Sequence, residues 1–152
     1  MNDDKKEEKN INEMLITHLR NISHTMRSLY EGKGSQKRVL MILNENEKMT
    51  QHMLTKKLGI KPSSVSEVIS KLENAHYITR LPNQTDKRTT NIILTPQGKI
   101  QAIEALAQRN QRHEDMFSCL SDHEKTQLLI LLEKVNNDWK KYQNSKSSQF
   151  KQ

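Results

Sequence analysis

The chain has 152 residues, enough for one domain or one domain with helical extensions, and only 33% of it is hydrophobic against 28% charged. So modest a core for the length favours an oligomer that shares buried surface, and a formal net charge of +7 favours a polyanionic partner. A single cysteine, Cys119, excludes an intrachain disulfide, and no apolar run approaches the roughly 18 residues of a membrane span.

The first ten residues, MNDDKKEEKN, are polar and expected to be disordered. They lack the apolar stretch of a signal peptide, so a cytoplasmic protein with no membrane partner is expected. Ile11, Leu15, Leu19, Ile22, Met26 and Leu29 recur at steps of four and three, one stripe of an amphipathic helix. Gly32 and Gly34 end that element, which occupies residues 11–34. Ser35 caps a second helix, SQKRVLMILNENE, with Val39, Leu40, Ile42 and Leu43 as its buried face.

Thr50 caps a short third helix carrying Met53, Leu54 and Leu58. Gly59 stands where it should stop, since Gly accepts φ > 0. Lys61-Pro62 opens a fourth helix, with Pro in the first turn where its missing N–H costs nothing. Val65, Val68, Ile69 and Leu72 form its apolar face. Helix, Gly-containing turn and helix make a helix-turn-helix.

Tyr77 to Leu81 and Asn91 to Leu94 are rich in β-formers and read as two strands of a wing joined by PNQTDKRTT. Thr95-Pro96 starts a fifth helix, running through Ile100, Ile103, Leu106 and Ala107 toward Leu120. Ser121-Asp122-His123-Glu124 is a capping box that opens a sixth. Leu128, Leu132, Val135, Trp139 and Tyr142 give that helix its stripe, and residues 143–152 read as a polar tail.

The charge surplus is local. Residues 35–100 hold eleven Lys/Arg against five Asp/Glu, whereas residues 1–34 balance at six each. With the fourth helix's apolar face turned inward, Lys61, Ser63, Ser64, Ser66, Glu67, Ser70 and Lys71 point to solvent. Short hydroxyl side chains let a helix sit deep in a major groove and reach base edges or phosphates. The helix start at Lys61 and Pro62 adds free N–H groups for a phosphate. The plain alternative is a solvated face.

Arg88, at the tip of the turn Asp86-Lys87-Arg88, has the size and charge to enter a narrow minor groove. An ordinary hairpin with a solvated tip would look the same in isolation. Arg80 and Lys87 are candidates for phosphate contacts. Arg80 could instead pair with Asp86 and brace the wing, and Asp86 itself would orient Arg88 or the turn rather than touch DNA. Lys37, Arg38, Lys56 and Lys57 are further phosphate candidates.

The stripes of the first and last helices have near-heptad spacing. Leu15, Leu19 and Ile22 on one, and Leu128, Leu132, Val135 and Trp139 on the other, are candidates for a dimer seam. They could also cover the core of a single chain. Cys119 reads as a small core or interface residue. His113-Glu114 and His123-Glu124 do not form a paired metal motif, and no metal or cofactor is expected. No glycine-rich phosphate loop or nucleophile set marks an enzyme.

Three motifs in register carry a resemblance: Leu54 through Leu72, Ile78-Thr79-Arg80, and Asp86-x-Arg88 followed by Leu94-Thr95-x-x-Gly98. In these the chain resembles the MarR family of winged helix-turn-helix regulators, over roughly residues 11 to 142. The resemblance implies a mainly α fold with a small β-wing: a winged domain at 35–100 between dimerisation helices at 11–34 and 101–142. It implies a DNA-binding homodimer on a pseudo-palindromic operator, with the Pro62 helix in the major groove and Arg88 in the minor groove. Release by a small phenolic or lipophilic ligand is a further implication. One departure is His76, where the family has Gly; a residue there must accept φ > 0 or reshape the turn. A helical protein-interaction module that keeps a winged domain without reading DNA remains the alternative.

Overall fold

The computed structural model describes residues 10–30, 32, 34–83 and 88–149. The disorder expected of residues 1–9 and the last residues of the polar tail, 150–152, lie outside these. Among the described residues there are six helices and three strands, in the order α1(Ile11–Leu29), α2(Gln36–Glu45), β1(Lys48–Thr50), α3(Gln51–Leu58), α4(Pro62–Asn74), β2(Ile78–Pro82), β3(Thr90–Leu94), α5(Pro96–Met116) and α6(Asp122–Gln149). The chain forms two compact units, Met1–Ala105 and Leu106–Gln152, with the boundary inside α5. No described helix is long and apolar enough to cross a membrane.

Helix starts follow their caps. Asn10, expected in the disordered stretch, accepts a hydrogen bond from Asn12 N–H and opens α1. Ser35 accepts from Arg38 N–H and Thr50 from Met53 N–H, so each satisfies a donor of the first turn that has no partner within the helix. The Ser121–Glu124 capping box closes reciprocally: Ser121 N–H donates to the Glu124 carboxylate at 2.8 Å and Glu124 N–H to the Ser121 hydroxyl at 3.3 Å. The stripe ends at Tyr142, but α6 continues to Gln149, into the stretch read as a tail.

The core lies in the first unit. Val39, Leu40, Ile42 and Leu43 of α2 meet Leu54 and Leu58 of α3, Val65, Val68, Ile69 and Leu72 of α4, and Ile78 and Ile92 of the sheet. The apolar faces expected for α2 and α4 are all buried. On α5 the buried residues are the small ones, Gly98, Ala102 and Ala105, while Ile100 and Ile103 are exposed.

The sheet order is β1-β3-β2, antiparallel throughout. The wing strands match expectation to within a residue, but β1 is an addition. It is three residues long, too short for alternation to show, and its one buried side chain, Met49, sits opposite Ile92. Thr50 both ends this strand and caps α3, which hid the strand in the sequence. Glu47, just before it, adopts φ 46.

His76 resolves the departure noted above: it adopts φ 59, taking the left-handed conformation itself instead of reshaping the turn. The chain then reverses from α4 into β2, with Tyr77 N–H donating to Leu72 O at 2.9 Å.

Candidate nucleic-acid interface

Gly59 ends α3 at φ 63, ψ 37, the left-handed cap the sequence anticipated, and the chain turns into α4. No side chain caps α4 at Lys61, so its first-turn N–H groups keep their capacity for an outside acceptor. Lys61, Pro62, Ser63, Ser64, Glu67, Ser70 and Lys71 are exposed as expected.

Ser66 is a correction. It is half-buried: its hydroxyl donates to Pro62 O at 3.0 Å and accepts from Gln51 Nε2 at 2.6 Å. It therefore ties the start of α3 to α4. Gln51 carried no signal in the sequence, because its role depends on how the two helices cross.

Ser70 also turns to its own helix, donating to Ser66 O at 2.9 Å. Glu67 and Lys71 form an exposed i,i+4 ion pair at 2.7 Å. The Lys71 hydrogen bond, and then its charge, lower the Glu67 pKa below its ordinary value. Ser63 and Ser64 make no side-chain hydrogen bond among the described residues and present free hydroxyls.

The wing is braced at its base. Arg80 Nε donates to Glu73 Oε2 at 3.0 Å, so β2 is pinned to α4. The pairing considered from sequence was with Asp86; Asp86 and Lys87 lie outside the described residues. Asn83 N–H donates to Thr89 O at 3.0 Å and closes the hairpin, and Arg88 is exposed in the turn that follows. Lys57 Nζ donates to Asn46 Oδ1 at 3.4 Å.

The Leu94-Thr95-x-x-Gly98 motif explains itself geometrically. Thr95 N–H donates to Tyr77 O at 3.0 Å, and its hydroxyl donates to His76 O at 2.7 Å and accepts from Gly98 N–H at 3.0 Å. A Cβ on Gly98 would stand 1.7 Å from Tyr77 O, so only glycine permits this approach. One threonine thus joins the exit of α4, the end of β3 and the start of α5.

A match to the MarR family model covers residues 34–90. Over that stretch the chain is similar to the MarR family. It is 28% identical over 97 residues to YwhA of Bacillus subtilis, an uncharacterized HTH-type transcriptional regulator, covering 64% of this chain and 70% of YwhA. Identity to the HTH-type transcriptional repressor MdtR of the same organism is also 28% over 97 residues, covering 64% of this chain but 63% of MdtR. A mutant of MarR from E. coli, complexed with operator DNA, superposes with a TM-score of 0.55 at 27% identity, covering 66% of this chain and 72% of that one. Both of these curated relatives are described as transcriptional regulators.

Much of the apolar stripe on α1, and of that on α6, is exposed. Leu15 and Ile22 on α1 are each 55% exposed, and Leu132, Val135 and Trp139 on α6 are exposed as well; Leu19 and Leu128 are half-buried. Cys119 is exposed too, which removes its core reading. A mostly apolar cavity of about 390 Å³ lies within the second unit, lined by His113, Glu114, Phe117, Lys125, Leu129 and Leu132. Among the described residues no group of three or more His, Cys, Asp or Glu side chains could hold a metal ion.

Proposed function

We propose that the chain is a cytoplasmic repressor that binds a pseudo-palindromic operator as a homodimer. The observation that carries this reading is the exposed α4 face of short hydroxyls and lysines beside an exposed wing arginine, Arg88. Lys61, Ser63, Ser64 and Lys71 would meet bases and phosphates in the major groove, and Arg88 the adjacent minor groove. Ser66 supports this face from behind, and Arg80 holds the wing against α4.

The exposed stripes of α1 and α6 support the dimer, because apolar faces of that extent on a soluble chain are interaction surfaces. Repression has support in MdtR, and operator binding in the MarR complex. A small lipophilic or phenolic effector is the release signal that fits this family. The apolar cavity of the second unit is of a size for one.

Selection of bound sites from random duplex DNA tests the reading. Two inverted half-sites spaced near one helical turn, roughly 34 Å, are expected. Enrichment of no sequence, with only weak salt-sensitive association, would instead favour an interaction module that has lost DNA reading.

A further inference from the structure

The exposed face of α4 has a carboxylate near its centre. Glu67 stands within a helical turn of Ser63, Ser64, Ser70 and Lys71, and the buried residues Val65, Val68, Ile69 and Leu72 lie on the opposite side. The serines beside it are short, so they do not screen it from a groove floor. A carboxylate there is repelled by every phosphate it approaches, and glutamine would fill the same space without that cost. Two observations show how the cost is contained. Lys71 donates to Glu67 at 2.7 Å and travels with it as a local counter-charge. The serines on either side add no further charge.

What a buried-in-groove carboxylate does well is accept. Of the four bases, cytosine is the one whose own major-groove edge offers an amino donor, N4–H₂, and no acceptor to repel the carboxylate. Adenine's amino group sits beside N7, an acceptor, which suits an amide better than an acid. We infer that Glu67 is a specificity-determining residue that selects cytosine at one position of each half-site, with Lys71 neutralising it on entry into the groove. The inference rests on the proposed operator binding.

The test is a comparison of sites selected from random DNA by the full-length wild-type protein, Glu67→Gln and Glu67→Ala. Wild type should enrich cytosine at one position per half-site. Glu67→Gln should move the preference at that position to adenine and leave the others alone. Glu67→Ala should lose discrimination there, by about five- to tenfold, the scale of one base contact. Thermal melts of both variants should match wild type, since Glu67 is exposed.

Unchanged preferences in Glu67→Gln, with equal or uniformly tighter binding, would overturn the inference and reduce Glu67 to a surface partner of Lys71. In that outcome operator binding itself stands. If the wild-type protein enriches no sequence, operator binding fails, and this inference fails with it.

Discussion

Gly98→Ala isolates the contact on which the wing-to-helix joint depends. The added Cβ would lie 1.7 Å from Tyr77 O and 2.7 Å from Tyr77 C, and both are backbone atoms that cannot rotate away. The Tyr77 carbonyl must withdraw by more than about 1 Å to reach ordinary contact. It accepts from Thr95 N–H at 3.0 Å, so withdrawal breaks that bond. A donor left unpaired costs about 1–3 kcal/mol. The Thr95 hydroxyl cap on Gly98 N–H, at 3.0 Å, is disturbed as well, at about 1 kcal/mol. Working in the other direction, Ala is a better helix former than Gly by at most about 1 kcal/mol. The net expectation is a loss of about 2 kcal/mol, read from urea unfolding followed by circular dichroism. The sign is decisive. Stabilisation, or no change, would mean that helix propensity alone governs this position and that the close approach to Tyr77 is dispensable.

Other expectations are as direct. His76→Gly should stabilise the fold, by less than about 1 kcal/mol: relief of a left-handed L-residue at φ 59 outweighs the greater freedom of glycine in the unfolded chain. A measured loss of stability would show that the imidazole makes a contribution beyond its backbone. Arg88→Ala should weaken operator binding by about 1–3 kcal/mol in a gel-shift titration, and unchanged affinity would remove it from the interface. Light scattering at micromolar concentration should give a dimer, and Trp139→Lys should shift it to monomer; a wild-type monomer would end the case for shared helices. The Glu124 pKa is held below its ordinary 4.5 by the backbone N–H and then the hydroxyl of Ser121. That cap therefore contributes fully above the ordinary value and is lost as pH falls through the lowered one. Glu124→Ala should flatten the stability profile on that acid limb, and an unchanged slope would place the acid sensitivity elsewhere.

What the sequence revealed was whatever is written in local chemistry. Ser35, Thr50 and the Ser121–Glu124 box cap the helices they were expected to cap, Gly59 turns left-handed, and the apolar faces of α2 and α4 are buried residue for residue. What it concealed depends on elements meeting in space. Ser66 has the same composition and spacing as its neighbours, and only the crossing of α3 over α4 brings Gln51 to it. Arg80 has a carboxylate nearby in sequence and another, Glu73, on the helix behind it, and the fold brings the second within 3.0 Å. On α5 hydrophobicity is no guide to burial: the helix packs by close approach through Gly98, Ala102 and Ala105, while its larger side chains, Ile100 and Ile103, are exposed. Met49 gave no period because a three-residue strand has none.

The position of β3 in the middle of the sheet bears on how the protein can be cut. Ile92 faces Met49 on one side and Arg80 on the other, so this one strand closes both the local hairpin and the distant pairing with β1. An expressed fragment that stops before Thr90 would leave β1 with no partner strand and the core without Ile92, which is 1% exposed in the intact chain. One that stops at Leu94 would lose Thr95 and the joint it makes. Even with both helices of the helix-turn-helix present, a truncated DNA-binding piece has to reach Ala105 before it can be expected to fold alone.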